Sequence, residues 1–293
     1  MESQKKNRLS VLTIILLVFL VLYSLSLVVP LLWAVITSLK SHLEFRLNVI
    51  GLPEVWEWGN YPFVFSKMYV TIQTETGTAN VGMGLMFLYT ILYAVGCAFF
   101  NTLVPCLTAY TCARFPYKFS KIIYGAVIVT MILPIVGSLP AEIQMSKNLG
   151  LYDSIWGLWI MKANFLGMYF LVFFSTFKNI PMTYTEAAKI DGANNLMILF
   201  KIILPLVRNT FLTITLINFI TFWNDYQVPL LYMPSYPTLA VGMFKIADSS
   251  ENTLARVPIR LAGSMIMLAP ILAVFAFTHK RLMGNLAIGG IKG

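Results

Sequence analysis

Residues Tyr184–Val207 read YTEAAKIDGANNLMILFKIILPLV, a polar helix-turn-helix phrase set between two membrane-length apolar runs. Thr183 stands three residues before Glu186. In a capping box that spacing lets a hydroxyl accept from the amide at N3 while the carboxylate reaches back. It predicts a helix starting at Tyr184, propagated by Ala187 and Ala188 and closed by Gly192, which can adopt the left-handed conformation. Such a helix has about eight residues and is roughly 12 Å long at 1.5 Å per residue. A second helix, from Asn194 or Asn195 to Leu204, places Leu196, Leu199, Phe200 and Ile203 at helical spacing, and Pro205 is expected to kink or end it.

Outward from this phrase the chain is lipid-like. Of its 293 residues 58% are hydrophobic and 11% charged, and the mean hydropathy is +0.76. Those values place it in a bilayer. Six stretches approach the roughly 20 apolar residues needed to cross a core about 30 Å thick: 9–39, 81–113, 122–141, 155–177, 209–231 and 259–278. The fourth carries Lys162 and the fifth Asp225. The first run is far longer than a signal h-region and is expected to remain as an anchor.

With the N-terminus inside, the cytoplasmic side collects Lys5, Lys6, Arg8, Arg114, Lys118, Lys121, Lys178, Lys189, Lys201, Arg208, Lys280, Arg281 and Lys292 against only Glu2, Glu186 and Asp191. This asymmetry puts both termini in the cytoplasm. The net charge of +9 is therefore read as orientation, and no nucleic-acid partner is expected. The segments would be a cytoplasmic N-terminus at 1–8, an extracytoplasmic segment at 40–80, a cytoplasmic loop at 178–208, an extracytoplasmic loop at 232–258 and a cytoplasmic tail at 279–293. Within 40–80, Trp56, Trp58, Tyr61 and Phe63 suit a membrane interface, and the polar, glycine-bearing tail from Thr71 to Gly84 suits a loop or hairpin.

Cys97, Cys106 and Cys112 share one span at spacings that fit neither a disulfide framework nor a zinc site, so packing is their expected role. No metal site is expected. The chain lacks GxxxxGK[ST], HExxH and GxSxG, so no catalytic residue is assigned and ATP is not hydrolysed by this chain.

The phrase resembles the EAA loop of ABC-transporter membrane subunits. Glu186, Ala187 and Ala188 supply the EAA, Gly192 the spaced glycine, and Ile202, Leu204 and Pro205 the closing positions. Asp191, Gly192 and Ala193 give the DGA form found in carbohydrate permeases. Asn101–Pro116 with its AYxxARF ending, Met131–Asp153, Phe222–Leu231 (FWNDYQVPLL), Thr238–Gly242 and Gly289–Gly293 extend the likeness to MalG-like subunits of carbohydrate importers. The extended outer segment around Val70–Gly82 departs from the pattern.

That resemblance implies an all-α membrane protein with six transmembrane helices, the type I importer permease fold and a cytoplasmic coupling helix. The implied site is a bacterial inner membrane, crossed several times. The implied function is ATP-driven import of a sugar or oligosaccharide, with a peptide or polyamine permease as a nearer alternative and an ion-coupled secondary transporter or a scaffold as remoter ones. The implied partners are a second, different permease subunit, two cytoplasmic ATPase subunits carrying ATP and Mg, and an extracytoplasmic solute-binding protein. Glu186 would contact the ATPase, Ala187 and Ala188 would permit close approach, and Gly192 would set the turn.

On the fifth span Thr215, Asn218, Thr221, Phe222 and Asp225 fall within roughly 120° of arc. Polar groups in lipid are costly unless they face a partner or a wet cavity, so this face is the expected pathway lining, with interhelical bonding as the competing use of Thr215 and Thr221. Asn218 is the leading candidate; Phe222 and Trp223 could stack on a sugar, with aromatic packing the commoner use of either alone, and Asn224 and Asp225 form either an outer gate or a structural pairing. Lys162 is either pathway-lining or snorkelling outward.

Overall fold

The computed structural model describes residues 10–75, 77–115, 117–133, 137–248 and 253–286. In chain order the helices are α1 (Val11–Ser38), α2 (His42–Leu47), α3 (Asn60–Lys67), α4 (Met83–Arg114), α5 (Lys118–Ile132), α6 (Leu139–Asn148), α7 (Ile155–Lys162), α8 (Met168–Asn179), α9 (Thr183–Ile190) and α10 (Asn195–Ile198). A π-helical turn (Leu199–Ile203) leads into α11 (Leu204–Asn224), followed by α12 (Gln227–Tyr232), α13 (Leu239–Asp248) and α14 (Val257–Leu286). Strands β1 (Tyr69–Thr74) and β2 (Gly77–Gly82) form an antiparallel hairpin immediately before α4.

The chain divides into two compact units, one made of 1–67 and 246–268, the other of 68–245 and 269–293. In the first, α1 exposes its apolar side chains along most of its length, as a lipid-facing or partner-facing helix must. Its C-terminal end is held by the following segment. Lys40 is fully buried and donates to the Asn48 carbonyl at 2.6 Å, while Asn60 Nδ2 donates to the carbonyls of Ser38 and Lys40. The 40–67 segment is thus small and ordered, stitched mainly by hydrogen bonds.

In the second unit α4 is the central post, packed against α11, α8 and α7. Gly96 permits the closest approach. A Cβ there would overlap the Trp159 ring of α7, whose indole nitrogen donates to the Leu92 carbonyl at 3.0 Å. The core runs through Cys106, Tyr110, Phe170, Phe173, Phe177, Ile203 and Val207. All three cysteines are buried and free.

Four helices among the described residues are long and apolar enough to span a membrane: Val11–Ser38, Met83–Arg114, Asn195–Asn224 and Val257–Thr278. The third and fourth expected spans are not single helices. The third is divided between α5 and α6, and the fourth breaks over 163–167 between α7 and α8, where Gly167 takes φ 146°. Apolarity sets membrane depth but does not require an unbroken helix, and the glycine supplies a conformation that L-residues disfavour. The fifth differs as well. Its helix does not end at Pro205 but starts at Asn195, passes the proline through the π-turn, and stops at Asn224 rather than near Leu231. A proline lacks the N–H and crowds the carbonyl four residues back; the wide turn just before Pro205 accommodates both. The N-terminal 1–8 and the terminal phrase Gly289–Gly293 lie outside the described residues, and so do Pro116 and Pro134.

Candidate functional site

Helix α9 begins one residue earlier than the capping-box spacing indicates. Thr183 is already helical, Met182 is the cap in an α-conformation, and no side chain caps the end. The amides of Thr185 and Glu186 instead bond the Met182 carbonyl. The expected box is therefore absent, and Glu186 is left exposed on the first turn.

The other end closes as expected. Gly192 has φ +82°, its amide donates to the Lys189 carbonyl at 3.0 Å, and the Ala193 amide donates to the Ala188 carbonyl at 2.9 Å. This pair of bonds is the Schellman motif. Two residues on, the Asn194 side chain accepts from the Met197 amide at 2.8 Å and starts α10. Asp191 closes α9 as its C-cap. The result is a short knob in which backbone bonds close the first helix and a side-chain cap starts the second.

Ala188 is buried against the core shared with Phe177, Ile198 and Leu199, whereas Ala187 and Glu186 face outward. The expected apolar stripe of the second helix divides: Leu199 and Ile203 are buried, but Leu196 and Phe200 are exposed. Together with Tyr184, Ile190 (86% exposed) and Met197, they give the knob an apolar outer surface. A neighbouring concavity of about 660 Å³ is lined by Tyr184, Ala187, Asp191, Met197 and Lys201, among others. Ile190 and Met197 were not singled out from the sequence. The signal at Ile190 is an apolar side chain between Lys189 and Asp191 in a polar segment, whereas Met197, inside the run Leu196–Phe200, carries none.

Arg114 ties the end of α4 to the root of this knob. Its Nη1 donates to Met182 Sδ at 2.8 Å, and its buried Nε and Nη2 have no hydrogen-bond partner among the described residues.

On the polar face of α11 the described residues make internal contacts, the competing use that the sequence left open. Asn218 is 3% exposed, accepts from Asn101 Nδ2 at 3.2 Å and donates to Thr102 Oγ1 at 3.0 Å, both on α4. It bridges two helices. The helix needs it there because an amide in an apolar interface must find partners. Phe222 and Trp223 are also buried, packing edge-on against Tyr93 and Phe87 of α4. Asp225 accepts from the Tyr93 hydroxyl at 2.9 Å and from the amides of Gln227 and Val228, which ends α11 and starts α12. Exposed Asn224 donates to the Ile220 carbonyl. Thr215 and Thr221 back-bond to carbonyls of their own helix. Thr215 also lines an apolar groove of about 350 Å³ with Phe99, Leu212 and Val274.

A second polar cluster joins α6 and α12. Asp153, at φ 54°, donates its amide to the Tyr232 carbonyl at 2.7 Å, and its carboxylate accepts from the Ser235 amide and hydroxyl at 2.9 and 2.6 Å. Tyr232 Oη donates to Glu142 Oε2 at 3.1 Å, and Ser138 donates to Oε1 at 2.6 Å. Hydrogen bonds from Ser138 first and Tyr232 second hold the Glu142 carboxyl below its usual range, and the Lys162 charge adds to this. Burial, reinforced by Glu142, pushes the Tyr232 phenol up to about 12. Lys162, half-buried at the end of α7, is therefore felt by this cluster. Asp153 closes the Met131–Asp153 phrase, but its partner Ser235 lies 82 residues away. No group of residues fit to hold a metal ion occurs among the described residues.

Comparison with known proteins follows this geometry. Residues 104–287 match the family model described as the binding-protein-dependent transport system inner membrane component. The chain is 26% identical over 275 residues to the diacetylchitobiose uptake system permease protein of Streptomyces coelicolor, covering 92% of this chain and 86% of that one. It is 27% identical over 278 residues to a probable starch degradation products transport system permease protein of Thermoanaerobacterium thermosulfurigenes, covering 92% and 95%. In fold it is similar to a chain in the crystal structure of a bacterial ABC transporter involved in the import of the acidic polysaccharide alginate, with a TM-score of 0.73, 23% identity and coverage of 96% and 98%.

Proposed function

Because the chain belongs to the family of binding-protein-dependent transport system inner membrane components, we propose that it is the membrane-spanning permease subunit of an ATP-driven ABC importer for a sugar or oligosaccharide. It is a transport subunit, with ATP and Mg held by separate ATPase subunits. The saccharide assignment is supported by relatives named for diacetylchitobiose and starch-product uptake. A second, different permease subunit completes the pathway, and an extracytoplasmic binding protein delivers the solute. Six membrane crossings with both termini in the cytoplasm fit the basic-residue asymmetry, the interrupted stretches 122–141 and 155–177 serving as the third and fourth.

The observation that carries the coupling role is the knob around α9. A helix of eight residues closed by two backbone bonds at Gly192 moves as a solid body. Glu186 and Ala187 project from it, and Ala188 roots it in the core shared with α4, α8 and α11. ATPase closure pushing on Glu186, Ala187, Asp191, Gly192 and Ala193 would reach the long helices through Ala188 on one side and the continuous α10–α11 rod past Pro205 on the other. Cysteine placed at Ala187 in the assembled complex is expected to crosslink to an ATPase subunit, and solute-loaded binding protein is expected to stimulate ATP hydrolysis. An intact complex whose Ala187→Cys variant never captures an ATPase refutes the coupling role.

A further inference from the structure

Near the root of the knob, the ends of α4, α5 and α8 enclose a cavity of about 720 Å³, lined by Lys118 and Lys121 of α5, Lys178 of α8, Tyr117, Tyr124 and Phe174, among others. No carboxylate lines it. The N-terminus of α5 opens at the same place. Tyr117 precedes it in extended conformation without a side-chain cap, and its first turn holds no acidic residue. Its leading amides and positive dipole end thus add to three ammonium groups. Lys178 is also drawn to the Phe174 ring, 5.5 Å from the centroid, which aims its stem along the cavity wall.

We infer that this cavity binds the phosphate headgroup of an anionic phospholipid. The cavity fits a phosphodiester rather than a carboxylate side chain because it is wide, basic on two sides and flanked by phenols that suit the headgroup level. Lipid is favoured over free phosphate by what continues from it. Tyr124, Ile128, Met131 and Ile132 recur at helical spacing down the face of α5 that lines the cavity; Ile128 is half-buried and the other three are exposed. Acyl chains have an apolar track beginning where the headgroup is held. The inference needs only that the chain is integral to a membrane, and it stands whether or not α9 couples to an ATPase.

Native mass spectrometry of the detergent-purified full chain tests it with phosphatidylglycerol, phosphatidylcholine or inorganic phosphate added. The wild type is expected to retain phosphatidylglycerol over phosphatidylcholine. With about 1 kcal/mol per lysine near a phosphate surface, the K118Q/K121Q/K178Q variant should bind it roughly a hundredfold more weakly and each single Gln variant about fivefold. The corresponding triple Arg variant should retain it, as should K189Q/K201Q, which removes the same kind of charge from the knob. Undiminished retention by the triple Gln variant overturns the site, and so does equal loss in the triple Arg variant. Binding of inorganic phosphate that displaces the lipid assigns the cavity to a free anion and overturns the lipid.

Discussion

The knob at 183–198 and the polar face of α11 both interrupt an apolar chain, yet they direct their polar groups oppositely. In the knob the backbone satisfies itself, with Gly192 and Ala193 bonding back into α9, so Glu186 and Ala187 are left facing outward. On α11 the side chains are consumed internally, Asn218 by Asn101 and Thr102, Asp225 by Tyr93 and the start of α12. A polar residue in a membrane protein marks a contact surface only when nothing within its own subunit already answers it.

The contrast is broken most forcefully at Gly192. Proline cannot adopt φ +82° and removes the amide that bonds Lys189. The substitution should cost about 3 kcal/mol of local helix-end stability and abolish ATP-driven uptake while membrane insertion survives. Uptake by proteoliposomes, alongside the amount of inserted protein, measures both. Normal uptake in Gly192→Pro would mean that knob stiffness is irrelevant.

Ala187 and Ala188 sharpen the comparison within one helix turn. Ala188→Leu overpacks a position that is 6% exposed and should cost about 1–3 kcal/mol, seen as a lowered melting temperature with uptake impaired. Ala187→Leu faces outward and should leave melting unchanged while weakening co-purification with the ATPase. Equal melting shifts in the two variants would remove the distinction between root and contact face.

Much of the knob was legible because its determinants are local. The EAA spacing, the glycine six residues after Glu186 and the eight-residue length all follow from neighbours in sequence. The capping box failed since Thr183 was drawn into the helix by Met182, a choice between adjacent registers that composition does not decide. The α11 face was legible only in part, for the opposite reason. Helical spacing placed Asn218 and Asp225 on one side correctly, but their partners lie 117 and 132 residues away on α4. The Asp153–Ser235 link has the same character. The breaks in the third and fourth spans were hidden because a hydropathy window averages across a turn such as 163–167.

Asn218→Leu tests the internal use of the α11 face. It removes both bonds and leaves Asn101 and Thr102 without that partner, so a loss of about 1–3 kcal/mol in stability is expected. A pathway residue would instead change uptake or solute-stimulated hydrolysis with melting unaltered. Combining Asn218→Leu with Thr102→Val should be less than additive, because each change deletes the same hydrogen bond.

The smallest effect belongs to the α6–α12 link, where pH separates the partners. Glu142 titrates below its usual 4.5 because the ionised form accepts from Ser138 and Tyr232. A depressed carboxylate stabilises the fold at pH values above its unfolded titration, and the contribution disappears as pH falls through the folded value. Tyr232 titrates near 12, so the phenol stays protonated across neutral pH and remains the donor. Tyr232→Phe should therefore lower the melting temperature slightly at pH 6–8 relative to wild type, and the difference should close as Glu142 becomes protonated below the ordinary carboxylate range. Surface exposure of Glu142 keeps the shift to a fraction of that expected at Asn218. A difference independent of pH would show that Tyr232 acts through packing alone, placing this link with the buried aromatics of α11 rather than with the polar bonds that join distant segments.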